Sequence, residues 1–161
     1  MPEIDLDGMV RDNRRICAQI ELCAGAAMRL GDITAAQAYV LLQVLRHGEQ
    51  ATSLTEIHRE LGYSMAHLSA TVKGLRKKGY VRVERCAGDD RRKIIFAAPR
   101  GEALRAELEE GACLVRRQLY GCFSRKELGE LDRLQRKMLG NLTRLAQNRQ
   151  QEVVTHEDCT A

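Results

Sequence analysis

Tryptophan is absent, proline occurs only twice, and aromatic residues make up 4% of this 161-residue chain. With Leu, Ala, Arg and Glu abundant, that balance favours helices over sheet. No apolar run approaches the roughly 20 residues needed to span a bilayer. The first residues, Met1-Pro2-Glu3-Ile4-Asp5, are acidic with no apolar signal region, which predicts a cytoplasmic protein with no membrane partner. Metal-ligand spacing is missing as well. His47, His58, His67 and His156 are scattered, with no His-x3-His pair and no Cys-x2-Cys motif, and only the tail segment His156-Glu157-Asp158-Cys159 groups such residues, so neither metal nor cofactor is expected. No cysteine sits in a glycine-rich turn beside a candidate base and no nucleotide-binding motif occurs, which argues against an enzyme. There is no internal repeat and no linker that would divide the chain.

What is present is a folded-protein composition, 44% hydrophobic and 30% charged, long enough for one compact unit with a real core. The net charge of +4 says little by itself, but its placement is uneven. Between Ser64 and Lys93 lie nine basic residues (Lys73, Arg76, Lys77, Lys78, Arg82, Arg85, Arg91, Arg92, Lys93) against Glu84, Asp89 and Asp90. That segment therefore carries +6 and the remainder −2. A basic segment within a slightly acidic chain is the footprint of one DNA-facing surface.

The apolar pattern orders the elements. Leu6, Met9, Val10, Ile16, Cys17, Ile20, Cys23, Ala27 and Leu30 recur at three- and four-residue intervals, predicting a long amphipathic helix interrupted at Gly31-Asp32. Thr34 is a good N-cap for a second helix with Ala38, Leu41, Leu42 and Leu45 inward, closed by His47-Gly48. Ser53 stands three residues before Glu56, the capping-box spacing, and opens a third helix from Leu54 to Leu61. After Gly62, Ser64 caps a fourth helix whose inner face is Met65, Leu68, Val72 and Leu75, stopping at Lys78-Gly79. Residues 80–85 alternate as a strand, Ala87-Gly88-Asp89-Asp90 turns the chain, and residues 93–97 return as the second strand of a wing.

Pro99 then opens a helical stripe of Leu104, Leu108, Ala112, Val115, Leu119 and Phe123. Ser124 and Glu127 repeat the capping-box spacing before a last helix with Leu128, Leu131, Leu134, Met138, Leu142 and Leu145 in a near-heptad seam. Periodicity is lost after Asn148. The expected fold is mainly α: a winged helix-turn-helix with a two-stranded wing and long N- and C-terminal dimerisation helices. Its organisation is an N-terminal dimerisation helix (1–33), a DNA-binding lobe (34–100), C-terminal linking and dimerisation helices (101–148) and a mobile tail (149–161). The terminal helices carry more apolar surface than a lobe of this size covers, so two copies interleaving as a two-fold homodimer is the economical arrangement, reading an inverted repeat.

Helix order, the segment Ser64-Met65-Ala66-His67-Leu68-Ser69-Ala70-Thr71-Val72-Lys73-Gly74-Leu75 leading to Lys77-Lys78-Gly79-Tyr80-Val81, and the wing motif Asp89-Asp90-Arg91 together resemble the MarR family of transcription regulators over nearly the whole chain. The resemblance implies a repressor that leaves its promoter when an effector binds. In similar proteins the wing is followed by Leu-Thr-Pro-x-Gly, where Thr caps the next helix. Here the segment reads Ala97-Ala98-Pro99-Arg100-Gly101, and an Ala cap forfeits about 1 kcal/mol. The class that competes with this reading is a winged-helix protein-interaction module whose wing never meets DNA; the +6 segment argues against it.

Side chains at the exposed start of a recognition helix reach base edges, here Ser64, Ala66, His67, Ser69 and Ala70, with Lys73 and Arg76 near phosphates and Ser53 at the start of the preceding helix. This reading surface has no Arg, Asn or Gln in its first turns, so phosphate contacts and groove shape carry much of the expected affinity. At the wing, Arg91 suits a narrow minor groove, with Asp89 orienting it and Arg92 and Lys93 alongside. The resemblance further implies an effector pocket lined from the first, second and fifth helices, for which Met28, Leu30, Tyr39, Leu42 and Cys113 are candidates, and effectors such as small aromatic or phenolic acids, drugs or oxidants. Six cysteines occur, Cys17, Cys23, Cys86, Cys113, Cys122 and Cys159. Most fall on or beside an apolar stripe and read as small buried hydrophobes. Cys17 and Cys23 are also redox candidates, because similar proteins include peroxide sensors with a cysteine near the N-terminal helix.

Overall fold

The computed structural model describes residues 4–28, 31–86 and 89–157, with side chains at these positions except 86, 89–92 and 148–157. It divides into two units, Met1–Leu119 and Tyr120–Ala161. In the first unit, α1 (Leu6–Ala27) starts from Asp5, whose carboxylate accepts the Gly8 N–H at 2.8 Å. The second helix, α2 (Ala35–His47), starts from a capping box between Thr34 and Gln37. After a single 3₁₀ turn, β1 (Thr52–Ser53) runs directly into α3 (Leu54–Leu61), where Ser53 and Glu56 form the predicted box. Each box satisfies N–H groups that have no partner inside the helix. Gly62 ends α3 at φ +72°, in the left-handed region that side chains resist. Ser64 then caps α4 (Met65–Lys77), accepting the His67 N–H at 3.2 Å.

The wing is longer than alternation alone predicts. β2 (Val81–Cys86) pairs antiparallel with β3 (Asp89–Ala97), so the second strand begins at Asp89 rather than at Lys93, and only residues 87 and 88 stand between the strands. The register shifts between Arg85 and Cys86, which is how a charged, non-alternating stretch can still extend a ladder. The sheet also has a third strand. Its order is β1-β3-β2, with Thr52 opposite Ile95 and Ser53 opposite Ile94. Two residues are too few for a period-two pattern, so β1 left no mark in the sequence.

One face of each element supplies the core: Met28 after α1, Leu41 and Leu45 of α2, Ile57 of α3, Leu68 and Leu75 of α4, Ile95 of β3 and Leu108 are all fully buried. Met65 departs from the predicted inner face of α4 and is 44% exposed. It occupies the first helical position, and because side chains lean toward a helix N-terminus, Met65 extends past the edge of the core.

The stripe from Leu104 to Phe123 is not one helix. A single turn, α5 (Pro99–Glu102), starts from Ala98, which makes no side-chain cap bond, and α6 (Arg105–Tyr120) follows after a break at Ala103-Leu104. Arg105 holds that break, donating to the Leu45 carbonyl at 3.0 Å and pairing with Glu102 at 2.8 Å. Gly101 is needed there for close approach, since a Cβ would lie 2.3 Å from the Tyr80 carbonyl oxygen.

In the second unit Phe123 lies in the turn after α6, with its ring edge-on to Tyr120 at 6.4 Å, and it is largely exposed. Ser124 and Glu127 form the predicted box, the Ser124 N–H donating to the carboxylate at 2.8 Å. They open α7 (Arg125–Glu157), whose backbone stays helical beyond Asn148, where the apolar pattern stops. Pairs such as Glu130–Arg133 and Asp132–Arg136 line its polar face. Among the described residues no helix is long and apolar enough to cross a membrane.

Candidate nucleic-acid interface

The helical repeat divides α4 into two faces. Leu68, Thr71, Val72 and Leu75 are buried, whereas Ser64, Ala66, His67, Ser69, Ala70, Lys73, Arg76 and Lys77 are exposed. Every residue expected to touch DNA from this helix thus lies on its outer face, with the small and neutral groups at the N-terminal end and the cations at the C-terminal end. That polarity also suits the helix itself, because Arg76 and Lys77 sit against the negative end of its dipole. Ser53 is different. It is buried, its hydroxyl donates to Glu56 Oε2 at 3.0 Å and accepts the Glu56 N–H at 3.3 Å, so it belongs to the cap and not to the exposed face.

Not all of the basic segment faces outward. The Lys78 ammonium donates to the Asp32 carbonyl and, at 2.9 Å, to Gln37 Oε1. Asp32 also accepts the Tyr80 hydroxyl at 2.7 Å, and Arg100 stacks over the Tyr80 ring at 4.4 Å from its centroid. The Tyr80 hydroxyl bond is the main reason the Asp32 carboxyl is held below its usual range. This cluster fastens the end of α4 to the loop before α2. On the wing Arg82 pairs with Glu84 at 2.7 Å and lies over the Phe96 ring, while Lys93 is exposed. Asp89, Arg91 and Arg92 belong to β3, but their side chains lie outside the described residues.

A second cluster ties α1 to the helix-turn-helix, and nothing in the sequence pattern announces it. Tyr63, in the turn before α4, donates its hydroxyl to Glu21 Oε1 at 3.2 Å, and its ring lies 4.9 Å from that of His67. Its carbonyl accepts His58 Nδ1–H at 2.7 Å. Burial first, and then the neighbouring Glu21 carboxylate, push the Tyr63 hydroxyl up to about 12.

Between α1 and α6 runs a groove of about 590 Å³, lined among others by Asp12, Arg15, Ile16 and Cys23 of α1 and Val115 and Leu119 of α6. None of the expected effector residues that are described lines it. Met28 and Leu42 are core, Tyr39 is half-buried beside Glu21 and Cys23, and Cys113 is exposed, while Leu30 lies outside the described residues. The cysteines correct another expectation. Cys17, Cys23, Cys113 and Cys122 are free and exposed rather than buried, because only the last turn of α1 packs into the core, with Ala24 its one buried residue, and Cys113 lies beside the buried stripe of α6. The side chains of Cys86 and Cys159 lie outside the described residues.

A helix-turn-helix with a polar outer face on its second helix, followed by a basic antiparallel hairpin, is a winged helix. Residues 31–92 match the family model of the MarR family. No curated protein matches it. Among solved structures it is similar to the S. aureus MepR–DNA complex (21% identity, 86% of this chain and 99% of that one, TM-score 0.73). It is also similar to a MarR family transcriptional regulator from Listeria monocytogenes complexed with a 26mer DNA (16% identity, 88% and 90%, TM-score 0.75). A third is Bordetella bronchiseptica BpsR, described for regulation of its DNA binding by 6-hydroxynicotinic acid (22% identity, 86% and 97%, TM-score 0.71). At these identities the likeness is one of fold.

Proposed function

We propose that this chain is a homodimeric transcription regulator that binds double-stranded DNA at an inverted repeat, acts in the cytoplasm as a repressor, and is released by a small effector. The observation that carries this reading is the outer face of α4, where Ser64, Ala66, His67, Ser69 and Ala70 are exposed together and Lys73 and Arg76 follow at the phosphate-facing end. The wing adds Arg91 for the minor groove, with Asp89, Arg92 and Lys93 beside it. That MepR and the Listeria regulator were solved with DNA supports the same use of this fold. Residues 1–33 and 101–148 serve dimerisation and residues 34–100 the DNA-binding lobe. The groove between α1 and α6 has apolar walls and Arg15 in its lining, a chemistry suited to a small aromatic acid, and Cys23 in the same wall makes thiol oxidation a second route to release. The BpsR example supports an aromatic acid as effector class.

The test is selection of duplexes from a randomised pool, followed by affinity measurement at several salt concentrations. A palindromic motif is expected, with log affinity falling linearly with log salt, and Lys73→Ala or Arg76→Ala each lowering the slope by about 1. No enriched sequence, with salt slopes indifferent to these substitutions and to Arg91→Ala, would reject the reading.

A further inference from the structure

His67 is the one aromatic side chain on the outer face of α4 among the described residues, and it sits in the first turn, where a recognition helix meets base edges. An imidazole alone on an exposed helix samples several rotamers, and a base contact would have to overcome that freedom. Here the ring is not alone. It lies against Tyr63 at 4.9 Å between centroids and 43° between planes, a tilted aromatic contact. Tyr63 is in turn fixed at both ends: its carbonyl accepts from His58 at the end of α3, and its hydroxyl donates to Glu21 on α1. With that hydroxyl pushed up to about 12, it remains a donor throughout the physiological range. Contacts from α1, α3 and α4 therefore converge on Tyr63, the residue whose ring supports His67.

We propose that Tyr63 is a positioning residue, held by Glu21 and His58, that presents the His67 imidazole to one base pair in each half-site, so that sequence discrimination depends on a contact between α1 and the helix-turn-helix. The proposal rests on the DNA-binding reading above. A ring N–H in that position donates to the acceptors that bases expose in the major groove, N7 of a purine, O6 of guanine or O4 of thymine, so the discriminated base is one of these and not cytosine. Glu21 stands two residues before Cys23 in the groove wall, so whatever displaces this part of α1 reaches His67 through a single hydrogen bond and a ring contact.

The experiment uses the full chain and the duplex it selects from a randomised pool, compared with every single-base variant of that duplex and with an unrelated duplex. His67→Ala is expected to lose roughly ten-fold discrimination at one symmetric position while keeping the others. Tyr63→Leu should lose discrimination at the same position, and the double variant should lose no more than either single one, as for two residues acting as a unit. Tyr63→Phe, which keeps the ring and drops the hydroxyl, and Glu21→Ala on an exposed helix face should each lose part of it. These two milder variants decide the matter if Tyr63→Leu does not fold. Binding to the unrelated duplex should be unchanged throughout. The proposal is overturned if His67→Ala has no positional effect, if the Tyr63 and Glu21 variants keep full discrimination, or if they weaken all duplexes equally. Should the wild type enrich no sequence at all, the DNA-binding reading falls first and this proposal with it.

Discussion

Glu56 gathers three donors on one carboxylate oxygen: the Ser53 N–H at 2.8 Å, the Ser53 hydroxyl at 3.0 Å and the Thr52 hydroxyl at 3.3 Å. The Ser53 bonds, above all from its side chain, hold the Glu56 carboxyl below its ordinary 4.5. Its folded value is thus lower than its unfolded one, so its contribution is fully present above about pH 4.5 and is lost as pH falls through the folded value. Urea unfolding at stepped pH should show wild-type stability falling more steeply below pH 4.5 than that of Glu56→Gln; identical slopes would refute the assignment. The opposite case is Ala98, which starts α5 with no side-chain cap. Ala98→Ser should raise stability by about 1 kcal/mol, visible as a higher Tm, with no gain if the hydroxyl cannot reach the free N–H groups. The Ser53 and Ser124 boxes were legible in the sequence because their geometry is a spacing of three residues, whereas the box between Thr34 and Gln37 was read only as an N-cap at Thr34. The same locality misled at Ser53, where one serine reads equally well as cap and as DNA contact until its burial is seen. The Tyr63–Glu21 bond was not legible at all, since 42 residues separate the partners and both are ordinary surface types.

At the level of elements, periodicity located every major helix and the wing, and failed where an element is too short or is interrupted. The break between α5 and α6 does not disturb the three- and four-residue spacing of Leu104 and Leu108, so the stripe conceals it. What sets the break is tertiary: Arg105 reaching the Leu45 carbonyl and Gly101 lying against the Tyr80 backbone. Two glycine substitutions separate close approach from mere helix propensity. In Gly101→Ala the new Cβ would meet the Tyr80 carbonyl oxygen at 2.3 Å, and backbone has to move, so a loss on the order of 1–3 kcal/mol is expected. In Gly140→Ala, inside α7, nothing lies within 4 Å, and the substitution should stabilise by about 0.5–1 kcal/mol. Thermal unfolding of the two variants checks both signs. Equal effects would mean that the contact at Tyr80 relaxes freely.

The whole molecule presents a contradiction that a single chain does not resolve. Along α1, Leu6, Met9, Val10, Ile16 and Leu22 are each more than half exposed, and so are Leu139, Leu142 and Leu145 of α7. Scattered surface leucines need no explanation, but two helices with repeated apolar positions on solvent do. The surplus was legible in the sequence as more apolar stripe than one lobe could cover. If a second copy covers these faces, two recognition helices are held at one spacing, and binding of the second half-site becomes intramolecular. Leu142→Glu places a charge in that seam at a residue that is 61% exposed. Sedimentation should then show a monomer where the wild type is a dimer. Affinity for a duplex with two half-sites should fall by about 10²–10⁴-fold, whereas affinity for a single half-site should stay constant. A variant that remains dimeric with full two-site affinity would move the interface away from α7. A monomeric wild type would remove the spacing argument altogether, leaving the outer face of α4 to account for binding alone.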